Sequence, residues 1–202
     1  MAGSQPTTED TTNESDTDEA LARRVQSGDT EAFGELMGRY EAKLKRYGTK
    51  FLSDHEDITD LVQEAFVRAY QNIRSFDTSL RFSPWIYRIA HNEFVSALRK
   101  RSRSPVISID FDALVSHPAY DDPAPREREQ KEMRALIERG LEKIPSKYRE
   151  VLVLYYLEEL SYREIADVLK VPVSTVGIRL KRGKSALSAV YQHSPERYGT
   201  LT

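Results

Sequence analysis

The sequence predicts an all-α fold: two small helical domains joined by a flexible linker, the second containing a helix-turn-helix. Three observations carry this. Apolar residues recur at steps of three and four from Asp18 towards Arg103 and again from Arg126 towards Gln192, the spacing of one buried helix face. The period is lost over Ser104–Pro125, where Pro105, Pro118, Pro123 and Pro125 stand among Asp110, Asp112, Asp121 and Asp122. Within Ser161–Tyr191, two helical patterns are split by Lys170-Val171-Pro172, a break that proline enforces on the residue before it while it opens the helix after it.

The bulk composition sets limits on function. At 202 residues the chain can build two modest helical cores rather than one large one, and with 39% hydrophobic and 31% charged residues most of it should fold and be soluble. The net charge of −2 argues weakly against a nucleic-acid partner, but the charge is segregated. The N-terminus and the middle are acidic, whereas Arg99–Arg103 and Arg179–Lys184 are basic. There is no cysteine, which removes disulfides, thiolate nucleophiles and cysteine zinc sites. No apolar run approaches the roughly 18 residues of a membrane span, and no signal-peptide core is present, so a cytoplasmic protein without membrane insertion is expected.

Taken in order, residues 1–17 read as a disordered acidic tail. A short helix from Asp18 is closed by Gly28, and Asp29 or Thr30 caps a longer one whose stripe is Phe33, Leu36, Met37, Tyr40, Leu44, Tyr47 and Phe51. Gly34, Gly38 and Gly48 either weaken that helix or allow close packing. Ser53 and Glu56 have the spacing of a capping box ahead of a third helix. Its apolar side is Ile58, Leu61, Val62, Ala65, Phe66, Ala69, Tyr70 and Ile73; periodicity alone leaves the polar side, with Asp60, Gln63, Glu64 and Val67, as solvated surface. After a loop over residues 75–82, Ser83-Pro84 opens a fourth helix as cap and first residue. Its core side is Ile86, Ile89, Ala90, Phe94, Ala97 and Leu98, and its other side carries Trp85, Arg88, Asn92, Ser96 and Arg99. Aromatics beside a basic helical face suit single-stranded DNA, with plain core packing as the alternative for each ring.

The first domain thus spans 18–103, the linker 104–125 and the second domain 126–193, with a tail over 194–202. In the second domain, helices are expected over 126–142 and 145–158, the latter with Tyr148, Val151, Leu152 and Tyr155 inward. In the helix-turn-helix, Val176, Leu180 and Leu187 face the core, while Ser174, Thr175, Ile178, Arg179, Lys181, Arg182 and Lys184 share the other side. A basic second helix with hydroxyls at its N-terminus fits the DNA major groove; a helical hairpin with a solvated basic face is the competing reading.

An enzyme is not expected. His55, His91, His117 and His193 are scattered, and no HExxH, P-loop or GxSxG sequence occurs. No cofactor or metal is expected: His55-Glu56-Asp57 are neighbours that point apart on a helix, and capping accounts for Glu56.

Three strings carry a family resemblance: DLVQEAFVRAYQNIRSFD over Asp60–Asp77, FSPWIYRIAHN over Phe82–Asn92, and IPSKYREVLVLYYLEELSYREIADVLKVPVSTVGIRLKRGKSAL over Ile144–Leu187. Over roughly 18–192 the chain resembles bacterial sigma factors of the sigma-70 class, in the small extracytoplasmic-function (ECF) group. The resemblance implies a promoter-specificity subunit that binds core RNA polymerase and directs initiation at a stress- or envelope-responsive regulon. It makes Asp60, Gln63, Glu64 and Val67 the surface for the clamp helices of the polymerase's largest subunit. It makes Phe76, Phe82, Trp85, Arg88, Asn92 and Arg99 the reader of the unpaired −10 non-template strand. For the −35 duplex it implies Ser174, Thr175, Ile178, Arg179, Lys181 and Arg182, with Arg149, Tyr162 and Arg163 on the flanking backbone. Promoter DNA and an anti-sigma factor, often one tied to the membrane, are the further partners implied. Two positions depart from the family pattern: Gly177 replaces a side chain in the recognition helix, and Glu159 stands where relatives often carry glycine. The alternative from another class is a stand-alone helix-turn-helix regulator that binds operators as a dimer; no apolar heptad seam is visible for one.

Overall fold

In the computed structural model, residues 17–101, 133, 137 and 140–192 are described, and among them there are helices and turns but no strand. The linker, most of the helix expected over 126–142, and both tails lie outside the described residues, except that Thr17 caps the first helix and Met133, Ile137 and Gly140 are helical.

Four helices build the first unit: α1 Asp18–Gln26, α2 Thr30–Gly48, α3 His55–Asn72 and α4 Phe82–Arg101. Gly28 ends the first turn region at φ +103°, a left-handed conformation that glycine adopts without a Cβ penalty. Asp29 caps α2 by accepting from the Glu31 and Ala32 N–H groups. The helix stops at Gly48 rather than continuing through Phe51, and Gly48 packs closely on its neighbours. A Cβ there would lie 2.8 Å from both Ile58 and the Phe94 ring, whereas Gly34 and Gly38 face open space.

Three expectations about caps and faces are corrected. The cap of α3 is Asp54, whose carboxylate accepts from the Glu56 and Asp57 N–H groups, and Ser53 forms no capping box. The helix α4 begins at Phe82, not at Ser83-Pro84. The Phe82 N–H donates to Glu19 Oε1 at 2.8 Å, a cap supplied from α1, and Pro84 stays within the first turn, where no intrahelical N–H is needed. On α4 the buried side is Ile86, Tyr87, Ala90, His91 and Phe94, while Leu98 is exposed. Tyr87 and His91 are drawn inward because α4 is covered twice, by its own unit and by the second.

In the second unit, the helix expected over 145–158 splits. Ser146–Leu152 (α5) is α-helical, and Val153–Leu157 widens into a π turn that buries Val153, Leu154 and Tyr156. Glu159 follows at φ +55°. Helix α6, Tyr162–Leu169, opens on a capping box between Ser161 and Glu164 and ends at Lys170 in the left-handed conformation. Helix α7, Val173–Gln192, packs on α5 so closely that a Cβ on Gly183 would sit 3.1 Å from Leu152. Val176, Leu180 and Leu187 are buried as expected. Helix α6 also packs across α4, so the two units touch. No helix among the described residues is long and apolar enough to cross a membrane.

Candidate nucleic-acid and polymerase interfaces

On α3 the steps of three and four that bury Ile58, Val62, Ala65, Phe66 and Ala69 turn Asp60, Gln63, Glu64 and Val67 outward, and all four are exposed. Val67 is half exposed, an apolar side chain among acids and amides. Glu64 pairs with Arg68, and Arg68 reaches on to Glu93 of α4 at 3.1 Å, which clips the two helices together. Tyr70 was placed in the buried stripe by its spacing, yet it is 44% exposed one turn beyond Val67, its ring edge resting on Phe33 at 5.0 Å. The signal for it was present in the spacing from Val67, but the same spacing also fitted the core.

The loop before α4 is fixed from α1. Gln26 donates through Nε2 to the carbonyls of Ile73 and Phe76 at 2.7 and 2.8 Å. Asp77 accepts from the Ser79 N–H and hydroxyl, which hold its carboxyl below the usual range, and the turn throws Leu80 outward to 61% exposure. Of the six residues expected to read the −10 strand, Arg88, Asn92 and Arg99 line up on the exposed side of α4, and Trp85 is half-buried beside them. Phe76 and Phe82 are not surface rings. They are 5% and 1% exposed and form an edge-to-face pair at 5.5 Å, with Trp85 at 5.0 and 5.4 Å. In this arrangement their burial keeps them from direct base contact, and both rings pack against the Trp85 indole. A cavity of about 300 Å³ opens between α3 and α4, with Trp85 and Asn92 on one wall and Arg68 and Asn72 on the other.

On α7, Lys181 and Arg182 are exposed, and Ser174 and Ile178 are half-buried. Thr175 and Arg179 are 1% and 8% exposed, so in this arrangement neither can touch a duplex. Arg149 on α5 is half-buried. The surroundings explain these positions. His91 on α4 is buried, with Nδ1 3.0 Å from the Tyr47 hydroxyl. Desolvation, helped by the charges of Lys170, Arg179 and Arg99, pushes its pKa down to about 4, so the ring is neutral. Desolvation pushes Glu150 up to about 7, against the pull of Arg179 and Arg149. Arg179 is buried, where its charge favours ionised Glu150 and disfavours protonation of His91.

Family models for sigma-70 region 2 and sigma-70 region 4 match residues 36–104 and 134–187. The ECF RNA polymerase sigma factor SigW of Bacillus subtilis is 36% identical over 171 residues, covering 82% of this chain and 91% of the relative. The chain belongs to the ECF sigma factors. The ECF RNA polymerase sigma-E factor of Escherichia coli K12 is 35% identical over 178 residues, 85% of this chain and 92% of that one. Among solved structures, CnrH in complex with the cytosolic domain of CnrY superposes with a TM-score of 0.60 at 27% identity, covering 87% of this chain and 97% of the other. This ECF sigma factor is thus a DNA-binding transcription-initiation subunit and not an enzyme. The bond chemistry belongs to the polymerase.

Proposed function

We propose that the first unit, residues 18–103, docks on core RNA polymerase and opens the −10 element, and that the second, residues 126–193, reads the −35 duplex. The observation that carries the first half is the column Arg88, Asn92, Ser96 and Arg99, exposed along α4 beside the half-buried indole of Trp85. A base flipped from the stack rests on the indole, Asn92 hydrogen-bonds its edge, and Arg88 and Arg99 follow the phosphates. Extruding a base costs on the order of a few kcal/mol, offset by the stacking and edge contacts. The Asp60, Gln63, Glu64 and Val67 stripe, with Tyr70 as its apolar extension, is the surface for the polymerase clamp helices. Ser174, Ile178, Lys181 and Arg182 face the −35 groove, whereas Thr175, Arg179 and Arg149 are covered or partly covered in this arrangement. No cofactor or metal enters this work. The chain acts where its polymerase is, in the cytoplasm, and an anti-sigma factor is the regulatory partner; the similar CnrH was solved in complex with the cytosolic domain of CnrY.

One observation favours this over a stand-alone dimeric regulator. Among the described residues, the exposed large hydrophobics Met37, Val67, Tyr70, Leu80 and Leu98 all lie in the first unit, so the helix-turn-helix unit offers no apolar seam to a second copy. The test is Asn92→Ala in reconstituted holoenzyme. Permanganate footprinting should show reduced promoter melting while co-elution with core polymerase is unchanged; normal melting would remove Asn92 from the reader.

A further inference from the structure

Both ends of the loop before α4 are bonded to one helix. Gln26 of α1 donates from Nε2 to the carbonyls of Ile73 and Phe76, at 2.7 and 2.8 Å, where the 3₁₀ turn Ile73–Ser75 runs into the loop. Carbonyls at a helix end lack onward helical partners, and here one amide serves two of them. Seven residues earlier on the same helix, Glu19 accepts the Phe82 N–H at the start of α4, at 2.8 Å. Seven residues are two turns, so the two side chains share a face of α1 and stand roughly 10 Å apart along it. Helix α1 is itself fixed. Leu21, Ala22 and Val25 are buried, and Asp18 is held from α2 by Arg39 at 2.8 Å and by the Tyr40 hydroxyl. The Tyr40 ring in turn meets Phe82 edge to face at 5.4 Å. Between the two anchors the loop carries the Asp77–Ser79 turn and exposed Leu80, and its flanking rings Phe76 and Phe82 pack on Trp85. The segment that matches sigma-70 region 2 begins at residue 36, so α1 lies outside it.

We infer that α1 is a gauge for the −10 reader, with Gln26 and Glu19 as positioning residues that set the separation and orientation of the loop's two ends. The inference rests on α4 being the reader, and neither residue touches DNA in it. A loop free at either end samples many arrangements, and a bound strand would have to select one of them at an entropic cost. With both ends bonded to one rigid helix, the loop tip and the Trp85–Asn92 side of α4 keep one relative placement before DNA arrives. The consequence is selective. Base-edge contacts depend on exact placement, whereas phosphate contacts, assigned to Arg88 and Arg99, carry no sequence information. Loss of an anchor therefore lowers discrimination between −10 sequences more than it lowers nonspecific affinity.

The test uses the full-length chain in reconstituted holoenzyme, on a promoter mapped by run-off transcription and on versions of it with single −10 base changes. Open-complex yield is read by permanganate footprinting, and the quantity compared is the ratio of matched to changed promoter. Gln26→Ala should reduce this ratio roughly three- to tenfold, about what the loss of one or two hydrogen bonds allows. Gln26→Glu keeps the shape without the donor and should do the same, and both should co-elute normally with core polymerase. At the other end, Glu19→Ala should lower the ratio, whereas Glu19→Gln keeps an acceptor oxygen for the Phe82 N–H and should retain most of it. That pair carries the test if Gln26→Ala does not fold. Leu44→Ala, which empties buried volume on α2, should leave the ratio unchanged whatever it does to yield. A wild-type ratio in folded Gln26→Ala or Glu19→Ala protein, or an equal fall in Leu44→Ala, overturns the proposal. Failure of the underlying reading is seen separately: if Asn92→Ala also keeps full melting and the full ratio, α4 is not the reader, and if it loses them, only the gauge has failed.

Discussion

Replacing Gly48 with alanine sets two effects of opposite sign against each other. The residue closes α2 with ordinary helical backbone, so alanine can adopt its conformation and gains up to ~1 kcal/mol of helix propensity. Against this, the new methyl would sit 2.8 Å from Ile58 Cγ2, 2.8 Å from Phe94 Cζ and 3.0 Å from Phe94 Cε1. Carbon pairs prefer about 3.5–4.0 Å, so each neighbour must retreat by roughly 1 Å. Neither has room. Ile58 and Phe94 are 2% and 0% exposed, and the Phe94 ring is stacked on Phe51 at 5.3 Å with Tyr47 at 6.2 Å. Overpacking of this kind costs about 1–3 kcal/mol, so the net loss should be about 1–2 kcal/mol. Phe94 is also two residues beyond Asn92 on α4, so the strain is delivered to the reader helix. Trp85 is the single tryptophan and lies in that helix, which makes urea unfolding followed by its fluorescence a readout of the first unit. A midpoint equal to or above the wild type would refute the claim that glycine is required there for close packing. A double change with Phe94→Leu should be less destabilised than the sum of the two singles, because the shorter side chain vacates the contested space.

Four further outcomes follow from other sites. Glu159→Gly should raise the thermal midpoint of the second unit by an amount equivalent to about 1 kcal/mol, since a side chain at φ +55° is strained and the carbonyl that accepts from Arg81 is retained. Glu150 holds its proton to about pH 7 when folded but only to its ordinary value of 4.5 when unfolded, so its contribution is full below pH 4.5 and is lost as pH rises towards 7; Glu150→Gln should remove that decline, worth at most ~3 kcal/mol, in urea titrations at pH 5 and 8. Buried His91, depressed to about 4 from 6.5, gives the reverse slope, stability lost as pH falls from 6.5 to 4, and this limb should survive in the glutamine variant. Asp60→Arg with Gln63→Ala should abolish co-elution with core polymerase while leaving the circular dichroism spectrum unchanged; normal co-elution would return that face of α3 to plain solvated surface.

Sequence reasoning reached the helices because each buries a face whose period is local: Ile58 to Ala69 on α3 and Val176 to Leu187 on α7 are written at steps of three, four and seven. It failed where the deciding partner is remote in sequence. Phe82 opens α4 because Glu19, sixty-three residues earlier, accepts its N–H, and no local capping rule contains that bond. Tyr87 and His91 are buried because Tyr47 and Phe51 of the first unit and the second unit cover them together, partners that the spacing of one helix read alone does not contain. Phe76 and Phe82 illustrate the same limit: an aromatic in a loop beside arginines suggests a base platform, but three rings packing on one another satisfy the apolar demand first, leaving Leu80 as the exposed large apolar side chain of the loop. Glu159 was legible as a departure from the family pattern, and its left-handed backbone supplies the physical reason glycine suits that position.

The near-zero net charge, which first argued against a nucleic-acid partner, has a structural reading in these contacts. A chain with 30 basic and 32 acidic side chains could scatter them evenly, and then no surface would attract a polyanion. Here cations of the first unit meet anions of the second: Arg81 with Glu164, Arg46 with Glu158. Charge that neutralises itself across a separable contact is different from charge neutralised within one helix. The i,i+4 pair of Lys45 with Glu41 persists however the units are arranged. Salt acts on both contacts: it weakens the inter-unit pairs by screening them and weakens strand binding by reducing counterion release. The free chain's affinity for a −10 oligonucleotide should therefore fall less steeply with salt than that of the Glu164→Gln, Asp167→Asn variant, and equal slopes would show that the pairs do not restrain the reader.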